Sequence, residues 1–133
     1  VLFEGERRLT GWVTDALAAV PADVPPWPAL RRAIDLIVPS LEESARAGAR
    51  LAAIVATTPA LRERAAAKEA NLVSLVARLL VERGAPADEA DLVALTEWGV
   101  LAHAIRTWRA DPGSPLLRHV DRAFALLGGL VGA

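Results

Sequence analysis

Large apolar residues recur three or four positions apart along almost the whole chain, and no run of them alternates with polar residues in the period of two that a half-buried strand requires. Segments patterned in this way bury one stripe each, and helix-on-helix packing is what covers such stripes. Proline and glycine cut the pattern into pieces. The expected fold is therefore all-α, a bundle of five to six helices joined by short loops. Its length of 133 residues suits a single domain, residues 1–133, around one continuous core.

The first stripe holds Leu9, Trp12, Val13, Ala16, Leu17 and Val20, opposite Glu4, Arg7, Arg8 and Asp15, and it stops before Pro21. Residues 21–28 (PADVPPWP) read as a stiff non-helical connector, because each proline lacks a donor and restricts its predecessor. A second helix starts near Pro28, with Leu30, Ile34, Ile37, Val38 and Leu41 inward. Pro39 inside it predicts a kink or a restart, for which Ser40 and Glu43 offer a capping box. Residues 45–56 form a third helical stretch. Thr58-Pro59 then reads as the cap and first position of a long helix that ends at Gly84. Asp88 is placed to cap a helix over 89–110, Asp111-Pro112-Gly113 ends it, and Ser114-Pro115 opens the last, with Leu117, Val120, Phe124, Leu127 and Val131 as its stripe.

Charge narrows the function. Fifteen basic and 16 acidic residues give a net charge of −1 and are interleaved, so the chain carries no electrostatic footprint for DNA. No stretch free of charge and histidine exceeds residues 51–61, which is well short of the roughly 18 residues that a membrane span needs. There is no cysteine, which excludes disulfides and thiolate metal sites, and residues 1–20 are amphipathic rather than continuously apolar. A cytoplasmic protein without membrane contact is expected, with no cofactor and no metal.

The pieces also fall in a familiar order. Val1-Leu2-Phe3 leads an amphipathic helix, the PADVPP connector follows, and Ala29-Leu30-Arg31 opens the next helix. Thr58-Pro59-Ala60-Leu61-Arg62 opens the long one, Trp108-Arg109-Ala110-Asp111 closes the next, and an amphipathic helix ends the chain. This order resembles the C-terminal domain of TetR-family transcriptional repressors, and is most similar to the branch named for the mycofactocin regulator. The resemblance covers essentially the whole chain and departs at Pro39. It implies that these are the fourth to ninth helices of a regulator whose N-terminal helix-turn-helix head is absent from this sequence. It further implies that the last two helices form a four-helix bundle with a second copy, that the others enclose an effector pocket, and that DNA is bound only through the head.

A pocket for a small, largely apolar effector needs apolar walls and a few orienting polar groups. Leu9, Trp12, Ile34, Ile37, Leu51, Ile54, Val55, Leu72, Leu75 and Leu101 are the candidate walls, each equally at home in a plain helical core. Glu97 shares a stripe with Val93, Val100, Leu101, Ala104 and Trp108, where a lone carboxylate must be paired or neutral. Lys68, near Asn71, is placed either to orient an anionic ligand or to reach past the core to water. For the homodimer, Leu95, Gly99, Ala102, His103 and Arg106 mark a face with small residues suited to close helix packing, joined by Val120, Phe124 and Leu127.

Catalysis is not expected. Two histidines with no cysteine or tyrosine leave few general acids and bases. No histidine pair stands at i, i+4, Glu-x-x-His does not occur, and no glycine-rich phosphate loop is present. The alternatives to an effector-sensing domain are a dimerisation bundle with a filled core and no ligand, and a small helical enzyme.

Overall fold

The computed structural model describes the backbone of residues 2–132 and the side chains of 7–132. The expected outward position of Glu4 and the run Val1-Leu2-Phe3 fall outside the described side chains. Six helices follow in order: α1 (Leu2–Ala19), α2 (Pro26–Ala47), α3 (Ala49–Thr57), α4 (Pro59–Glu82), α5 (Ala87–Ala110) and α6 (Leu116–Val131). Among the described residues there is no strand, and no helix is long and apolar enough to cross a membrane.

Two expectations about proline are corrected. Helix α2 begins at Pro26 with Pro25 as its N-cap, so residues 26–28 are helical. The first turn of a helix has no intrahelical acceptors for its N–H groups, so Pro26 and Pro28 forfeit nothing there. Nor does α2 restart at Ser40: it runs through Pro39 to Ala47. Pro39 is exposed on the outer side of α2. Ile37 and Val38 are held in the core on the opposite side.

Helix ends elsewhere follow local chemistry. After α4, Gly84 takes a φ of +106°, the left-handed conformation that suits glycine. Thr58 precedes α4 without capping it, because its hydroxyl donates to the Ile54 carbonyl at 2.9 Å. Pro86, not Asp88, is the N-cap of α5, and Asp88 lies inside the first turn, where its charge favours the positive end of the helix dipole.

α5 is the central element, packed against α2, α4 and α6, while α1 lies on α2 and α4. The inner faces of these five helices share one continuous cluster of buried side chains in which Leu80, Ala104, Leu116 and Val120 are fully buried. α3 contributes nothing to it, and α4 contributes only from Leu72 onward. The segment formed by α3 and the first half of α4 stands off the core.

Candidate functional site

A charged residue type is buried at the centre of this apolar cluster. Glu97, on α5, is 0 % exposed, and neither of its carboxyl oxygens has a hydrogen-bond partner. Burial pushes its carboxyl from 4.5 up to about 9. The Arg31 guanidinium on α2 pulls the other way, and Asp35 adds to the rise. At neutral pH Glu97 is therefore an uncharged acid, able to donate through its O–H as well as accept. Two neighbours on the same helix share its condition, for the indole N–H groups of Trp98 and Trp108 are also buried without partners.

Arg31 does not neutralise Glu97 because it is engaged elsewhere. Its Nε meets Asp35 at 3.1 Å, a second nitrogen meets Asp121 of α6 at 2.5 Å, and its guanidinium lies 4.1 Å from the centre of the Phe124 ring. Trp27 meets the same ring edge-on at 6.0 Å.

A small, partly open cavity lies where α1, α2, α4 and α5 converge. Val13 comes from α1, Leu30, Ala33, Ile34 and Ile37 from α2, Val73 and Val76 from α4, and Ala94, Trp98 and Leu101 from α5. Its volume is about 20 Å³, room for roughly one water. Glu97 itself is not one of the lining residues, whereas Ala94 and Leu101, one turn before and after it, are. Val93 and Thr96 line an open groove of about 560 Å³ together with Arg31 and Phe124.

Of the expected pocket walls, Ile34, Ile37 and Leu101 line the cavity. Leu72 is buried nearby, and Leu9, Trp12 and Leu75 pack against the core beside it. Leu51 and Ile54 do not join them. They lie on α3, exposed at 37 % and 54 %, because that helix packs chiefly on α4, with a smaller contact to α2. Val55 and Lys68 are half-buried and Asn71 is exposed, all on the segment that stands off the core. Val73 and Val76, rather than Leu75, are the cavity residues of α4, a shift in the phase of that stripe. Ala33 and Ala94 carry no signal in the sequence, since alanine suits any helix face.

A wider concavity lies elsewhere, an open groove of about 840 Å³ along α5 and α6. It is lined by Gly99, Val100, His103, Leu126, Leu127 and Leu130 among others. Leu95, Gly99, His103 and Arg106 are exposed on or beside this face, while Ala102, Phe124 and Leu127 are half-buried. Val120 is corrected: it is 0 % exposed in the chain's own core and offers no surface to a second copy. Leu126 and Leu130 of this groove, exposed at 49 % and 78 %, and Leu92 of the groove beside Arg31 and Phe124, exposed at 66 %, were not among the expected residues. The i, i+4 spacing of Leu126 and Leu130 was the available signal.

Below this groove the Thr107 hydroxyl lies 3.0 Å from His119 Nδ1, and Asp111 lies 4.0 Å from His119 Nε2. Thr107 also donates to the Ala104 carbonyl, so it ties α5 to α6 rather than standing free as a nucleophile. Among the described residues no cluster of three or more metal-ligating side chains forms.

A family model described as the MftR C-terminal domain matches residues 24–131 of the chain. No curated protein matches it.

Proposed function

Because the chain belongs to the MftR-type C-terminal domains of the TetR family of regulators, we propose that residues 1–133 act as one unit that senses a small, largely apolar effector and pairs with a second copy. Repression of transcription would follow through a DNA-binding head in the complete regulator, in the cytoplasm. The observation that carries the sensing half is Glu97, 0 % exposed with both oxygens unpartnered, on the helix whose Ala94, Trp98 and Leu101 line an apolar cavity. A buried polar group without a partner costs stability, and a site that receives a partner from outside gives it a reason to be there. The pairing half is supported by the exposed leucines along α5 and α6, an apolar face of the kind that a partner covers.

In this reading the effector favours one arrangement of α1 against α2 and α4, and α1 carries the change toward the head. Only a difference in affinity between the two arrangements can do this. A thermal-shift screen of hydrophobic small molecules tests sensing, since a ligand of the native state raises the melting temperature. Light scattering after size-exclusion tests pairing, with a dimer expected at tens of micromolar protein.

A second reading, a pairing bundle with a filled core and no ligand, is favoured by the size of the cavity, about 20 Å³. It predicts a dimer and no stabilisation by any compound in the screen.

A further inference from the structure

The exposed side of α5 is a seam with a regular spacing. Asp88, Leu92, Leu95, Gly99, Ala102 and Arg106 follow one another at alternate steps of four and three, the 3.5-residue period that keeps one stripe against a second helix. All are exposed except the half-buried Ala102. The seam has a direction: it opens on an acid, continues with two large apolar side chains and two small residues, and closes on a base. No atom of the chain stands within 4 Å of where a side chain at Gly99 would begin. Among the described residues Arg106 forms no ion pair, and Asp88 accepts only the backbone N–H of Glu89, at 2.9 Å. Gly99 also lines the wide groove along α5 and α6, so the seam borders the space that a partner helix would fill.

Such a seam complements itself in one direction only. With two copies antiparallel, Asp88 of one falls opposite Arg106 of the other, Leu92 opposite Ala102, and Leu95 opposite Gly99. Each charge meets its opposite and each large side chain meets a small one, and the two-fold repeats every contact. With two copies parallel, acid meets acid, base meets base, and Gly99 faces Gly99 across a gap.

We propose that a second copy of this chain docks on this seam with the two α5 helices antiparallel, Leu95 of one copy seated over Gly99 of the other and an Asp88–Arg106 ion pair at each end. This rests on the pairing reading above and adds its direction and register.

The chain has no cysteine, so single introduced thiols report which positions meet. Leu92→Cys and Ala102→Cys chains, mixed and oxidised at tens of micromolar, are expected to form a disulfide between the two kinds, while neither cross-links with itself. In sedimentation equilibrium Arg106→Glu is expected to weaken the dimer roughly tenfold, and Asp88→Arg added to the same chain should restore most of the loss. Should Ala102→Cys fail to fold, the charge exchange decides. A dimer in which each thiol variant cross-links with itself instead, or in which the mixed disulfide does not form, overturns the antiparallel register and leaves pairing standing. So does a further loss when Asp88→Arg joins Arg106→Glu. A monomer of the unaltered chain at these concentrations overturns both.

Discussion

The Glu42 carboxylate of α2 accepts a hydrogen bond from the backbone N–H of Leu116, the first residue of α6, at 2.6 Å. Helix α6 has Pro115 at its N-cap and no side-chain cap of its own, so a residue distant in sequence takes that place. Three turns earlier on α2, Arg31 meets Asp121 of α6. Between these two ties, Ile34 and Ile37 of α2 line the cavity. One helix thus joins the cavity wall to the α5 and α6 face on which pairing is proposed.

Loss of the Glu42 cap should be measurable. Glu42→Ala is expected to lower the unfolding free energy by about 1–2 kcal/mol in urea denaturation, since it strips both a charge-assisted hydrogen bond and a favourable dipole contact from the end of α6. Glu42→Gln should recover part of the loss.

Stability should depend on pH through Glu97. Its carboxyl ionises near 4.5 when unfolded and near 9 when folded, with Arg31 and Asp35 of α2 acting in opposite directions on it. Between those values the folded state keeps a proton that the unfolded state gives up. The stability from this group is therefore fully present below about 4.5, falls by about 1.4 kcal/mol per pH unit as pH rises, and levels off above about 9. Urea midpoints of the unaltered chain and Glu97→Gln from pH 5 to 9 should diverge, with Glu97→Gln lacking this slope.

Arg83 holds the end of α1. Its guanidinium donates to the carbonyls of Leu17 and Val20 at 2.9 Å each and of Pro21 at 2.6 Å. Arg83→Met is expected to cost about 1–3 kcal/mol and to speed amide exchange over the last turn of α1. Arg83→Lys should not restore the contacts, because one ammonium cannot span three carbonyls as the guanidinium fork does.

Pairing through α5 and α6 should be separable from folding. Leu126 is 49 % exposed, so Leu126→Glu should leave the helical circular dichroism and the melting transition intact in the isolated chain. In light scattering it is expected to convert a dimer into a monomer by placing a charge in an apolar contact.

Much of this architecture was legible in the residues. Pro21, Gly84 and Asp111-Pro112-Gly113 end helices for reasons of backbone chemistry that need no tertiary contact. Glu97 was legible because a carboxylate on an apolar stripe is conspicuous. The identity of a neighbour, by contrast, is not written in periodicity. Leu51 and Ile54 are apolar and helical, yet α3 stands off the core. Val120 shares a stripe with Phe124 but lies on its inner edge, fully buried. The prolines of PADVPPWP read as helix breakers, whereas Pro26 and Pro28 occupy the one turn that tolerates them. Glu42 and Arg83 act on carbonyls and amides more than 60 residues away, which no local pattern announces.

The central claim is that the cavity lined by Trp98 and Leu101 receives a ligand, and a cavity-filling variant tests it most directly. Ala94 is 1 % exposed and lines that space, so Ala94→Val places two methyl groups in it. Melting temperatures of both chains are measured with each compound that stabilises the unaltered one. The predicted result is stabilisation of the unaltered chain that is lost or strongly weakened in a folded Ala94→Val. Equal stabilisation of the two chains, or none of the unaltered chain by any compound, would contradict the claim.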